Sequence, residues 1–357
     1  MREDHNEPGF PWPAGSATGI GSMPGTDPAE AMRVVAGELP DFPYLPELPD
    51  RGPGADLTGR TAALLVDMPV EVTPRGWRLA ERPGRDLARA RSMLASDLDV
   101  LEEVLQGFEG PLKIQLCGPW TLAATLELTR TMNMALADPG AVADLTASLA
   151  EGAAAYAADV ARRVPGARLV VQFDEPALPS VIAGLVPSQS GMSRLAAIEA
   201  DTARDRLNQV LSATPGYTVV HCCAATVPFG IIQRAGADGI AFDLNQLRRG
   251  EEDGVAEAAE AGLGLFTGAI PAVADPPGEA RQTAEPGGAR ETAERVLRLW
   301  QRAGLPPATA ADQAVITPAC GLAGASPAQA RAALTRCREA AAMLPELIEE
   351  TRGSQHE

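Results

Sequence analysis

Eight short apolar runs, each followed by a stretch of helical periodicity, restrict this chain to a narrow choice of folds. The runs lie at 18–22, 42–47, 113–117, 168–173, 219–223, 238–243, 263–267 and 313–317. Their near-continuous apolar character suits strands buried on both faces, as in a parallel sheet covered by helices. The alternation of strand and helix predicts an α/β fold, a (β/α)8 TIM barrel. A doubly wound sheet is the alternative, but it would carry a Gly-rich phosphate turn after the first strand, and Gly19-Ile20-Gly21-Ser22 lacks the third glycine of that fingerprint. At 357 residues and 45% hydrophobic, the chain can bury one large core. The organisation expected is a flexible N-terminal tail over 1–16, a single barrel over 17–350 and a short tail over 351–357. Within the barrel, 50–85 reads as an elaborated loop with minor elements at 62–66 and 77–79. Among the helices expected are 86–106, 121–136, 139–163 and 193–213, and 271–288 reads as a Pro/Gly-rich insertion.

Barrel chemistry gathers at the C-terminal ends of the strands, and the fifth run ends in Val219-Val220-His221-Cys222-Cys223. In an extended strand residues i and i+2 share a face, so His221 and Cys223 project together while Cys222 points to the outer layer. Zinc takes four ligands, or three from the protein with one open position. Cys320, in the turn after the eighth run, is the best third ligand, and Asp243, ending the sixth, is a plausible fourth. Soft thiol donors favour zinc over magnesium or calcium. For any one pair, ordinary packing of a buried Cys beside a His remains the competing explanation.

The charge of −17 comes without a basic cluster longer than Arg248-Arg249, which argues against nucleic acid or an anionic membrane as partner. No apolar run approaches the roughly 20 residues needed to span a bilayer, and no basic-then-apolar leader opens the sequence. A cytoplasmic protein is expected. Five cysteines, two of them adjacent, suit a reducing compartment and metal or thiol chemistry better than a disulfide framework. The single lysine, Lys113, stands at the beginning of a strand, so a Schiff-base lysine deep in a pocket is not expected. Of three histidines, His5 and His356 belong to the polar tails, which leaves His221 as the imidazole of the globular body.

Taken together, Ile20-Gly21-Ser22, Gly118-Pro119-Trp120-Thr121, Gln172-Phe173-Asp174-Glu175-Pro176-Ala177, His221-x-Cys223 and Pro318-Ala319-Cys320-Gly321-Leu322 resemble the catalytic C-terminal barrel of cobalamin-independent methionine synthase. The match runs in order over about 17–350, without that family's N-terminal second barrel. The wider superfamily also holds corrinoid-dependent methyltransferases and uroporphyrinogen decarboxylase. The resemblance implies a methyltransferase that makes methionine from homocysteine. It assigns His221, Cys223 and Cys320 to zinc, with Asp243 where the family carries Glu. It further implies that Ser22, Glu47 and Asp174 hold the amino and carboxyl groups of homocysteine, that Asp174 and Glu175 are the catalytic carboxylates, and that Trp120 lies beside a folate-facing loop. The family's proton-donating His after the seventh strand is replaced by the stretch Phe266-Thr267-Gly268-Ala269-Ile270-Pro271. A methylated corrinoid, which leaves without a proton, is therefore expected to outperform methyl-folate as donor. The alternatives are a corrinoid-linked methyltransferase acting on another thiol, a decarboxylase-type barrel, and a barrel that binds zinc or methionine without turnover.

Overall fold

The computed structural model of the protein describes residues 9–188, 190–272 and 288–354. A small antiparallel hairpin of β1 (Val70–Thr73) and β2 (Gly76–Leu79) stands apart from a six-stranded parallel sheet. The sheet runs in chain order through β3 (Gly110–Cys117), β4 (Ala167–Asp174), β5 (Tyr217–Cys222), β6 (Gly239–Asp243), β7 (Gly264–Ile270) and β8 (Ala314–Pro318). The helices are α1 (Pro28–Glu38), α2 (Leu57–Ala62), α3 (Arg85–Val104), α4 (Pro119–Thr125), α5 (Pro139–Arg163), α6 (Leu178–Ile182), α7 (Ala200–Ala213), α8 (Phe229–Arg234), α9 (Glu252–Glu260), α10 (Ala289–Arg302), α11 (Ala310–Gln313) and α12 (Pro327–Ser354). Strand parity separates two apolar layers. Val171, Phe173, Val220, Ile240, Phe242 and Ile316 face the helices, whereas Val170, Val219, Ala241, Phe266 and Val315 turn inward onto Trp12 and Phe42.

The eight-stranded expectation is met in part: the parallel sheet has six strands, and the first two runs contribute single parallel bridges instead of ladders. Ala17 bridges Ile316 on β8, Ser22 bridges Glu47, and Tyr44 bridges Lys113 on β3. Hydrogen bonds follow the same path: Thr18 N to Ile316 O at 3.2 Å, Glu47 N to Gly21 O at 3.1 Å, and Leu45 N to Lys113 O at 2.9 Å. The two edges of the sheet are thus joined through these segments. Pro43 and Pro46 have no N–H to donate, which is why the second segment cannot build a continuous ladder.

Three expectations are corrected by packing. Residues 10–16, read as tail, are seated under the barrel: Trp12 is buried, stacks on Phe42 at 5.8 Å, meets Phe266 edge-on at 5.1 Å and donates from Nε1 to Asp312 O at 3.0 Å. The helix expected over 121–136 stops at Thr125, because the backbone of Glu127 pairs with β2 through Leu79 N and Trp77 O. The helix expected over 193–213 begins at Ala200, preceded by a bridge between Pro187 and Arg194. Most of the 271–288 insertion, together with His5 and His356, lies outside the described residues. Among the described residues no helix is long and apolar enough to cross a membrane.

Candidate metal and substrate site

The site begins with the parity of β5. His221 is buried on the interior side, and Cys222, fully buried, belongs to the helix-facing layer. Cys320 comes from the turn after β8, whose approach depends on Gly268: a Cβ there would stand 2.7 Å from Ala319 Cα and 2.8 Å from Phe242 O. One metal-binding atom from each of His221, Cys223 and Cys320 falls within a set whose members all lie within 4.8 Å of one another. The two Sγ atoms are 3.5 Å apart and the thiols are free.

His221 is oriented by its neighbour in register. Asp174 pairs with His221 across β4 and β5, and its Oδ1 lies 2.7 Å from His221 Nδ1. That contact engages Nδ1 and leaves Nε2, which is buried and has no hydrogen-bond partner, as the ring's free donor atom. Burial works against the charged ring, but the hydrogen bond and charge of Asp174 outweigh it and raise the His221 pKa. The Sγ–Sγ contact with Cys223 lowers Cys320 to about 6, and the same contact raises Cys223. An orphaned imidazole nitrogen beside two thiols, one of them poised as thiolate, fits a zinc ion, and an Asp holding the far nitrogen is the usual outer-shell support for such a ligand. Asp243 is outside this set. Its Oδ1 accepts from Asn245 N at 2.8 Å and Asn245 Nδ2 at 2.9 Å.

Of the carboxylates expected to hold substrate, Asp174 touches the His221 ring and Glu47 belongs to a separate set of contacts. Glu47 is buried, its carboxylate 3.4 Å from Arg60 Nε, and burial pushes its pKa up to about 7, with the Asp174 charge adding to the rise and Arg60 and Lys113 opposing it. Ser22 abuts the Cys320 turn: its carbonyl accepts from Leu322 N at 2.8 Å, and a Cβ on Gly321 would collide with its Oγ. Glu175 faces a different neighbourhood. It accepts from Trp120 N and Thr121 N, each at 2.8 Å, and from Thr121 Oγ1 at 2.7 Å, so it fastens the start of α4. Trp120 is fully buried and donates from Nε1 to Ala203 O at 2.9 Å, tying α4 to α7. Near the end of β7, the Ala269 carbonyl receives Arg295 Nη1 at 3.1 Å, where the resemblance would have placed an imidazole.

Sequence reasoning missed the cations and amides beneath these carboxylates. Lys113, expected to be remote from any deep pocket, is completely buried inside the sheet and donates to Ile20 O at 2.7 Å and Gln115 Oε1 at 3.0 Å. Gln172 Nε2 donates to Ile20 O at 2.9 Å and Asp174 Oδ1 at 2.7 Å. Arg60 reaches inward from α2 and also pairs with buried Asp97, which Arg51 grips with both Nη atoms at 2.7 Å. The signal for Lys113 and Gln115 was their i, i+2 spacing inside an apolar strand; Arg60 had none, since it lies in a stretch read as loop.

A family model described as "Cobalamin-independent synthase, Catalytic domain" matches residues 15–343. Among solved structures, one of a B12-independent methionine synthase from Shewanella sp. W3-18-1, in complex with selenomethionine, is similar with a TM-score of 0.63 and 14% identity. The match covers 94% of this chain and 99% of that one, and at this identity the likeness establishes the fold. No curated protein matches the chain.

Proposed function

The chain belongs to the family of the cobalamin-independent methionine synthase catalytic domain, and from that premise we propose that it methylates the thiol of homocysteine to form methionine. The observation that carries this reading is the juxtaposition of an unpartnered His221 Nε2 and two thiols with two buried carboxylates, Glu47 and Asp174. Thiol donors suit a substrate sulfur, and buried carboxylates suit an ammonium. The selenomethionine in the Shewanella structure is a ligand of the kind such a pairing would accept.

His221, Cys223 and Cys320 would hold zinc, leaving the fourth position to the substrate sulfur without requiring Asp243. Zinc bound there would supply Lewis acidity that favours the thiolate form of a substrate thiol near neutral pH. Asp174 keeps the His221 ring in place through Nδ1. With Glu47 it anchors the substrate ammonium, and Ser22, beside the Cys320 turn, meets the substrate carboxylate. Fixing both ends of a short amino acid aligns its sulfur for attack on a methyl group. Glu175 and Trp120 act one step away, by setting where α4 begins.

The donor is proposed to be a methylated corrinoid rather than a monoglutamate methyl-folate. Folate leaves as an amine that needs a proton, and His221, the histidine within the described residues, is committed to the metal and Asp174. The test is methyl transfer to homocysteine by zinc-loaded protein, with methylcobalamin and methyl-folate compared at equal concentration. Turnover is expected with homocysteine and faster with methylcobalamin. Absence of thiol-dependent turnover with either donor would overturn the enzymatic reading, and faster turnover with methyl-folate would reverse the donor assignment.

A further inference from the structure

The one lysine of the sequence is fully buried inside the sheet. It has no surface exposure and no carboxylate in direct ion pairing; the partners of its Nζ are the carbonyl of Ile20 and the amide oxygen of Gln115. Those partners lead toward both substrate carboxylates. Gln115 Nε2 donates to Leu45 O at 2.6 Å, in the 42–47 segment that carries Glu47, and the Ile20 carbonyl is shared with Gln172, whose Nε2 continues to Asp174. Lys113 is therefore joined to Asp174 through the Ile20 carbonyl and Gln172, and through Gln115 to the backbone two residues before Glu47, whose charge also acts on it.

The charged and titratable groups around it are few. Asp174 faces it from β4, Glu47 and the Tyr44 ring from the 42–47 segment, with the ring centroid 5.3 Å from Nζ, and His221 from β5. Arg60 is engaged with Glu47 and Asp97. A buried ammonium is costly unless compensated, and a lysine on a flexible stem is the side chain that most readily gives up its proton under that pressure. Burial pulls Lys113 down to about 7, with Asp174 and Glu47 opposing the fall.

We propose that Lys113 is the internal counter-cation of the amino-acid site: it balances Glu47 and Asp174 in the unliganded protein, and surrenders its proton to solvent when a substrate ammonium takes over that charge. This rests on the amino-acid reading of the site and extends it to what the barrel interior does on binding. Two cations sharing two carboxylates in a dry interior repel each other, and the lysine proton is the one free to leave. The exchange keeps the interior near neutrality and makes amino-acid binding a proton-releasing event. Lys113 is on this view a positioning residue, acting through Gln115 and Gln172 and not on the reacting atoms.

A single lysine makes the test direct. Zinc-loaded protein carrying 13C-labelled lysine gives one side-chain signal, whose pH midpoint is read with and without saturating methionine. Methionine is chosen because it has no thiol proton to release. The midpoint is expected near 7 without ligand, far below the ordinary 10.5, and at least about one unit lower with methionine bound, since a shift of that size is about 1.4 kcal/mol of interaction between the two cations. Calorimetry of methionine binding in two buffers of different ionisation enthalpy should show proton release, lost in Lys113→Met if that variant folds. A midpoint that does not move although calorimetry shows methionine bound, or one near the ordinary value, overturns this inference and leaves the amino-acid reading standing. Absence of methionine binding overturns both.

Discussion

The two sides of the site are built by different means. The thiol and imidazole side comes from the ends of β5 and β8, where strand parity and a turn present His221, Cys223 and Cys320, helped by Asp174 on the His221 ring and by Gly268 beneath the turn. The carboxylate side is held by contacts between distant segments: Arg60 from α2 to Glu47 and Asp97, Arg51 to Asp97, and Lys113 and Gln172 to the carbonyl of Ile20. A metal set gains its geometry from the ion it binds, whereas a buried charge network must be satisfied by the protein alone.

The largest effect that separates the sides is loss of a thiol. Cys223→Ser and Cys320→Ser are each expected to drop zinc from about one equivalent to below about 0.1 and to abolish methyl transfer, while stability without metal stays near the parent's. Elemental analysis of chelator-free preparations, read beside denaturant unfolding, checks this; full zinc in both variants would remove the metal from this side.

Arg60→Met attacks the other side. It strands Glu47 as a buried carboxylate and leaves Asp97 to Arg51 alone, and removing one partner of such a network costs about 3–5 kcal/mol, so the unfolding midpoint should fall steeply while zinc per folded molecule is unchanged. A variant as stable as the parent would mean that the network is solvated and the contrast between the sides is overstated.

Asp174 belongs to both sides, through His221 Nδ1 and through Gln172. Asp174→Asn should lower zinc affinity by roughly 10–100-fold, the usual cost of losing a ligand's outer-shell partner, and weaken methionine binding as well. Competition with a zinc chelator and calorimetry on the zinc-saturated variant measure the two losses separately, and a change in only one would assign Asp174 to a single side.

The smallest effect is in pH. Glu47, raised to about 7 by burial, is protonated below that value and then offers an ammonium no charge; Lys113, lowered to about 7, is protonated in the same range and repels it. Both act in one direction, so methionine affinity should be lost as pH falls through about 7 and level off about one unit above, changing by at most about tenfold per pH unit for each proton released. A flat profile across neutrality would show that neither group is coupled to the ligand.

How much of this was legible in the residues follows the same division. His221 and Cys223 could be paired from period-two geometry, and Cys320 and Ser22 from turns after apolar runs, because those signals are local. The N-cap of α1 was also readable: Asp27 before Pro28 accepts from Ala29 N and Glu30 N. Arg60 was not readable, since its partners Glu47 and Asp97 are separated from it by intervening elements. Neither was the shortening of the helix after Gly118, where pairing of Glu127 with β2 overrode a helical composition.

The order of strands and helices, the shared face of His221 and Cys223 and the candidate metal donors follow from the residue pattern, because periodicity and donor chemistry are legible along the chain. Folding settled the rest: Trp12 seated beneath the barrel, Asp243 bonded to Asn245 and outside the His221, Cys223 and Cys320 cluster, Glu175 committed to α4, and a lone lysine buried near two carboxylates. Each of these depends on which groups meet after chain segments far apart in sequence are brought together, and on how water is excluded where they meet. Those are energies of burial and charge that no local pattern encodes.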